Sequence, residues 1–276
     1  MRLIDFFERG LRYWPESPCL VDYSGSMSYK EVNARSHQTA SAMVDHGLRP
    51  GDIVAILSQN CSKAFEAWIG AARADGVWVG LAALNSVSEN VYILNHRSAN
   101  WLFIHSDFED QIEQIKDQCP NLQHIIVLDK KIQKFLTLDE FITGYSENFE
   151  ELDYNRDAII SHFSSGGTTG QPKGAIWSSL TWQAWSSNIY AHLPIKKRPV
   201  HLVASSMAHG AGVFAWPAMA FGGTIVSIPR ADPKSVLGAI QDHSVTHTFL
   251  PPTVIYMMLS DPDAKNYDCS SMDYLV

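Results

Sequence analysis

The sequence predicts an α/β protein built from two doubly wound parallel-sheet subdomains with flanking helices. Short apolar runs of strand length, such as DIVAILS (52–58) and HIIVLD (124–129), alternate with amphipathic stretches of helical length almost throughout. That alternation implies parallel pairing through helical crossovers. The alternation is interrupted once, at GYSENFEELDYNRD (144–157), an acidic and weakly periodic stretch that reads as a surface connection. A second series of strands and helices then begins. The sequence therefore divides into a first α/β subdomain over 1–150 and a second α/β part over 151–276.

In the first series, apolar positions Val32, Thr39, Ala40, Met43 and Val44 recur near helical spacing, and Gly47 offers a stop. The strand DIVAILS follows, then a helix around Phe65, Trp68, Ile69 and Ala72, then the strand VWVGLA (77–82). A short helix over Val91–Arg97, the strand WLFIHS, a helix carrying Ile112 and Ile115, and HIIVLD complete this half. In the second series AIISHF (158–163) is a short strand, and AIW (175–177) leads away from the loop that follows it. A helix over Leu180–His192, the strand HLVASSM and an apolar helix near Phe214–Ala220 come next. GGTIVSIP, a helix over Lys234–His243, HTFLPP and a helix over Thr253–Leu259 continue the pattern. The final MDYLV reads as one more core strand just beginning, which predicts that the natural chain continues past Val276.

Composition bounds the function. The 276 residues are 46% hydrophobic and 18% charged, which is ordinary for a globular chain with a sizeable core. A formal charge of -8 lacks the basic footprint of a nucleic-acid binder. No apolar run reaches the length of a membrane span, and the start, MRLIDFFERG, mixes charged with apolar residues unlike a signal peptide. Cys19, Cys61, Cys119 and Cys269 are scattered without a C-x-x-C pair, so thiols in a reducing, cytoplasmic compartment are expected.

The stretch that carries chemistry is FSSGGTTGQPKG (163–174). It has no apolar period, so it is neither a helix face nor a core strand. Gly166, Gly167 and Gly170 let successive backbone N–H groups turn to one side and form an anion-binding nest. Ser164, Ser165, Thr168 and Thr169 add hydroxyl donors, and Lys173 adds a full charge on an approach stiffened by Pro172. Neutral donors and one cation together suit a polyphosphate. A Walker loop would end in Gly-Lys-Ser/Thr, whereas Lys173 lies between Pro172 and Gly174, and the glycine spacing does not fit G-x-G-x-x-G. A Ser/Gly/Thr run alone would favour a plain surface loop; the strand before it and the Pro-Lys-Gly ending weigh against that.

SGGTTGQPKG resembles the phosphate loop of the adenylate-forming (AMP-dependent) synthetases, and companion segments agree in order. MSYKEVN (27–33), LRPGDIVAILSQN (48–60), ARADGVWVGLAALN (72–85), SMAHGAG (206–212), FGGTIV (221–226) and VTHTFLPPTVIYMML (245–259) are each similar to blocks of that family. The resemblance covers nearly the whole chain and is of the acyl-CoA synthetase type. It implies the incomplete N-terminal domain of the adenylate-forming fold, with ATP, Mg2+ and coenzyme A as cofactors. The implied reaction joins a fatty or related apolar carboxylic acid to AMP, with pyrophosphate leaving, and then to a thiol. Thr168 and Thr169 would hold the β- and γ-phosphates, with Thr168 and Lys173 as the catalytic pair. Ser164, Ser165, Gly166, Gly167 and Gly170 would complete the phosphate site.

The same resemblance puts His209 beside the acid pocket, with Gly210 and Gly212 allowing close passage of the acyl group and Phe214 lining it. Phe214 and Trp216 are equally explained by core packing. Three positions depart from the family: Gly166 stands where serine is usual, Ser179 where histidine often follows, and Gly80 where proline is usual. The segments that in the family bind adenine and ribose, supply a magnesium-binding glutamate and form the mobile C-terminal domain are not in this sequence. The chain by itself is therefore expected to be inactive.

Other constellations read more plainly. His243 and His247 are spaced as a helical metal pair, but the second falls in a strand, so no metal ligands are assigned. Lys196, Lys197 and Arg198 read as a solvated turn, with contact to coenzyme A phosphates as the functional alternative. Trp182 and Trp185 read as core. Two other functions remain open at this stage: an adenylation domain that loads a carrier protein, and a naturally short, non-catalytic relative that binds nucleotide or acid. Oligomerisation is also open.

Overall fold

The computed structural model describes residues 1–132, 134–150, 155, 157–165 and 173–276. In chain order its elements are α1 (Ile4–Tyr13), β1 (Pro18–Asp22), β2 (Gly25–Ser28), α2 (Tyr29–Asp45), β3 (Ile53–Leu57), α3 (Ser62–Arg73), β4 (Val77–Leu81) and α4 (Val87–His96). They continue with β5 (Trp101–Ile104), α5 (Ile112–Gln118), β6 (His124–Val127), α6 (Leu138–Ile142), β7 (Ile159–Ser165), β8 (Lys173–Ser178) and α7 (Ser179–His192). The last are β9 (Val200–Val203), α8 (Gly210–Met219), β10 (Thr224–Ser227), α9 (Pro233–His243), β11 (His247–Thr248), α10 (Pro252–Ser260) and β12 (Tyr274–Leu275).

Local chemistry sets several of these boundaries. Helix α2 stops where Gly47 takes φ +96, a left-handed conformation that glycine adopts without a Cβ clash. There the Leu48 N–H donates to Met43 O at 2.9 Å and the Gly47 N–H to Val44 O at 3.0 Å, closing the last turn. Helices α4 and α6 each open on a capping box, Ser86 with Glu89 and Thr137 with Glu140. Helix α9 starts at Asp232, whose carboxylate accepts the Ser235 N–H at 3.0 Å, with Pro233 at its first position.

The strands form two six-stranded sheets, ordered β6-β5-β3-β4-β7-β8 and β12-β11-β9-β10-β1-β2. Each is parallel except at one end, where β8 runs antiparallel to β7 and β2 antiparallel to β1. The sheets are thus mixed rather than wholly parallel. The physical reason is connection length: Tyr23 and Ser24 are too few residues for a crossover, so β1 and β2 can only form a hairpin. The Asp22 carboxylate fixes that turn by accepting the Ser24 N–H at 2.8 Å.

By contacts the chain divides into two compact units. One comprises Met1–Ile4, Asn33–Gln59 and Lys63–Gln183; the other comprises Asp5–Val32, Asn60–Ser62 and Ala184–Val276. The first has a core of Leu57, Val79, Leu102, Ile104, Ile112 and Ile115. The second is centred on Leu202, Val226, Val236, Ile240 and Leu250. No helix among the described residues is long and apolar enough to cross a membrane.

Candidate functional site

Within the first unit, strand β7 pairs in parallel with β4 (Trp78↔Ser161, Val79↔His162) and turns back as β8. The last pairs across this hairpin are Ser164↔Gly174 and Ser165↔Lys173. The hairpin so brings Ser165 and Lys173 opposite each other at the C-terminal end of a parallel strand, where ligands of open α/β sheets bind. Gly166, Gly167, Thr168, Thr169 and Gly170 lie outside the described residues. So do the side chains of Ser164, Ser165 and Lys173, whose backbones belong to the strands.

Aromatic packing fixes the stem. The Phe163 ring lies 5.3 Å from Trp78 and 4.7 Å from Trp177, and Trp78 stacks on Trp68 at 3.9 Å. Trp182, on α7, is buried and donates its indole N–H to Ser161 Oγ at 2.7 Å. The expectation that Trp182 is core therefore holds, and its indole also ties α7 to the strand that carries the loop.

Arg97, the residue that follows α4, carries no signal in the sequence of a role at this hairpin. A Cβ placed on Gly174 would come within 1.4 Å of Arg97 Nη2 and 3.1 Å of Phe163 O. The glycine of Pro-Lys-Gly thus leaves room for the Arg97 guanidinium, which a side chain here would displace. The His162 side chain has a pKa lowered to about 4, first by burial and then by the Arg97 charge. Gly174, beside Lys173, and His162 accordingly both lie within the influence of Arg97.

Within the second unit, His209 is the N-cap of α8, and Gly210, Gly212 and Phe214 follow on its first turns. His209 keeps part of its surface in solvent, and desolvation of the rest moves its pKa down. A Cβ on Gly210 would meet the Phe249 ring at 2.7 Å, and one on Gly212 would meet Met207 O at 2.0 Å. Both glycines therefore serve the packing of the helix start against its neighbours. Phe214 is buried, 5.0 Å from the Trp185 ring, 5.7 Å from Phe249 and 6.4 Å from His201. Trp216 is fully buried core.

Beneath α8 lies a second feature that the sequence reading missed. His201, on β9, is fully buried and donates its Nε2–H to Ala211 O at 2.9 Å. Its ring is 4.8 Å from that of His247, on β11. Desolvation lowers the His201 pKa to about 4 and, together with the His201 charge, lowers that of His247 to about 3. Both imidazoles are therefore neutral at pH 7. A histidine inside the apolar run VHLV was the available signal.

The remaining constellations fall as follows. His243 ends α9 and is exposed, so it does not share a helix with His247. Lys197 donates to Ser271 O at 3.3 Å, and Arg198 donates to Ser17 Oγ. Among the described residues, no three His, Cys, Asp or Glu side chains cluster as metal ligands.

Comparison with known proteins gives a consistent match. The profile of the AMP-binding enzyme family fits residues 7–276. A medium/long-chain-fatty-acid–CoA ligase, FadD8 of Mycobacterium tuberculosis, is 27% identical over 87% of this chain and 43% of its own. The 4-coumarate–CoA ligase 3 of Arabidopsis thaliana is 25% identical over 95% of this chain and 48% of its own. Among solved structures, an anthranilate–CoA ligase in complex with anthranoyl-AMP superposes with a TM-score of 0.89 at 25% identity, covering 100% of this chain and 54% of that one. The N-terminal domain of FACL13 from M. tuberculosis gives 0.89 at 20% identity, covering 99% of this chain and 69% of that one, a likeness of fold. The chain spans about half the length of the curated relatives it matches.

Proposed function

The chain belongs to the AMP-binding enzyme family, and on that premise we propose that it is the N-terminal part of an AMP-forming acid–CoA ligase acting on a fatty or related apolar carboxylic acid. The observation that carries the reading is SSGGTTGQPKG, running from the end of β7 to the start of β8, in a chain that matches the family from residue 7 to 276. In this reading a substrate carboxylate oxygen attacks the α-phosphorus of ATP. The bond to the β,γ-unit breaks, and pyrophosphate leaves with the charge. Coenzyme A then supplies a thiolate that attacks the acyl carbonyl, and AMP departs.

The role of this chain is electrostatic. Backbone N–H groups at Gly166, Gly167 and Gly170, the hydroxyls of Ser164, Ser165, Thr168 and Thr169, and the Lys173 ammonium stabilise charge accumulating on the pyrophosphate. Mg2+, when bound with ATP, would neutralise part of that charge, and no described side-chain cluster is assigned to hold it. His209, Gly210, Gly212 and Phe214 would border the acid. The apolar, aromatic surroundings of Phe214 support an apolar substrate.

The test uses the natural full-length protein. Lys173→Ala is expected to slow acid-dependent pyrophosphate release with the fold unchanged, and an unchanged rate would count against the assignment. Offering coenzyme A and a carrier-protein thiol side by side then identifies the acceptor, with coenzyme A expected to be consumed.

A further inference from the structure

A different pocket lies on the first unit, lined by residues that play no part in the proposed reaction. His46, just past α2, His124, at the start of β6, Lys116, on α5, and Lys134 are among the residues that line it. The space is about 320 Å3, the size of a small-molecule site. Among the described residues no aspartate or glutamate lines it, although the chain as a whole carries a formal charge of -8. Four basic groups have therefore been gathered, against the general charge, around one concavity.

The arrangement is built rather than incidental. His124 stacks flat on the buried Trp101 at 3.8 Å, and the His46 ring stands edge-on to it at 6.3 Å. His46 in turn packs against Phe141 at 5.1 Å, with its Nδ1 2.8 Å from Ala42 O. Leu122, Phe135 and Leu136 supply an apolar portion of the lining. Burial lowers the His124 pKa, and the neighbouring His46 charge lowers it further.

The carboxylates nearby are few. Glu113 meets Lys134 at 3.3 Å, an exposed pair of small energetic weight, and Asp45 accepts the Tyr145 hydroxyl at 2.7 Å. That hydroxyl also lies 3.4 Å from His46 Nδ1.

We propose that this pocket binds a small organic phosphate monoester, with the phosphate among Lys116, Lys134, His46 and His124 and the apolar body against Leu122, Phe135 and Leu136. Lysine and imidazole donors match a dianionic oxygen set, and charge-assisted bonds to phosphate are the strong class. The apolar lining distinguishes an organic ester from free phosphate.

The test titrates the protein with phenyl phosphate, inorganic phosphate and phenol, following binding heat and the histidine side-chain NMR signals. Phenyl phosphate is expected to bind with a Kd below about 1 mM, to shift the His124 signals and to raise the His124 pKa. Inorganic phosphate should bind more weakly, and phenol should not bind. The double variant Lys116→Glu/Lys134→Glu changes two exposed side chains, so the fold is kept, and circular dichroism checks it. It is expected to weaken phenyl phosphate about tenfold or more. His124 signals that stay fixed, affinity unaltered in the double variant, or phenol binding as well as its phosphate would each overturn the proposal. Equal affinity for free phosphate would overturn the assignment of an organic body.

Discussion

Asn60 accepts the Met207 N–H on its Oδ1 at 2.8 Å, and its Nδ2 lies 3.0–3.2 Å from the carbonyls of Val203, Ala204, Ser205 and Ile228. One buried amide thereby fixes the turn that leads from β9 into His209 and α8. Replacing it by alanine leaves the buried Met207 N–H without its acceptor and removes the amide donors from the surrounding carbonyls, and a buried polar group left without a partner is costly. Asn60→Ala is expected to lower stability by about 2–3 kcal/mol. Asn60→Asp should cost more, because a carboxylate would face carbonyl oxygens. Urea unfolding followed by tryptophan fluorescence measures both, and equal midpoints for the two variants would contradict the argument.

The glycines at the start of α8 are expected to differ in tolerance. Gly212→Ala drives a Cβ to 2.0 Å from Met207 O, a backbone atom that cannot move alone. Gly210→Ala meets the edge of the Phe249 side chain at 2.7 Å, and that ring can rotate away. The expected losses are about 2 kcal/mol or more for Gly212→Ala and about 1 kcal/mol for Gly210→Ala. Thermal melts would show the order, and the reverse order would refute the backbone explanation.

At the stem of the β7–β8 hairpin, Gly174 and Arg97 should be energetically coupled. The alanine Cβ collides first with the Arg97 guanidinium, the far end of a flexible side chain. Gly174→Ala alone is expected to destabilise by about 1–2 kcal/mol, and Arg97→Ala should relieve part of that. A double-mutant cycle with no coupling would mean that the tight contact with Phe163 O, at 3.1 Å, governs the site instead.

Acid should weaken the second unit before most carboxylates titrate. His201 has a folded pKa of about 4 against an ordinary value of 6.5, so the unfolded chain takes up its proton first as pH falls. The stability linked to neutral His201 is complete above about pH 6.5 and is lost as pH drops toward 4. At pH 5 the loss is about 2 kcal/mol for His201, and His247 acts in the same direction. His201→Gln should flatten the dependence of urea midpoints between pH 7 and pH 5. A slope equal to that of the parent would rule out the buried pair as its origin.

The ion network around Asp139 should respond at lower pH. Burial pushes the Asp139 pKa up, but hydrogen bonds and charge from Lys63 and Arg35 outweigh it and leave the pKa below its ordinary value. Arg35 also donates to the buried Glu66 at 2.7 Å. The Asp139 contribution is present above the ordinary value of 3.8 and disappears as pH falls below it. Asp139→Asn is expected to lose stability at pH 7 and to lose less than its parent between pH 4 and pH 2, as read by urea titration.

The elements that the sequence determined are those whose cause is local. Period and length marked the strands at 53–57, 77–81 and 101–104, and Gly47 marked the end of α2, because side-chain alternation and left-handed φ act over a few residues. The polar run after β7 was legible for the same reason, since a nest of glycines, hydroxyls and one lysine is written in consecutive residues.

Tertiary structure alone decided which strands meet and what crowds them. Strand β1 pairs in parallel with β10, Leu20 opposite Ile225, and periodicity carries no information about a partner two hundred residues away. The same holds for Arg97 over Gly174, for Asn60 against the carbonyls before α8, and for His201 beside His247. Each is a contact between residues distant in sequence, and it exists only once folding brings the two together; at Asn60 and His201 burial then sets the chemistry.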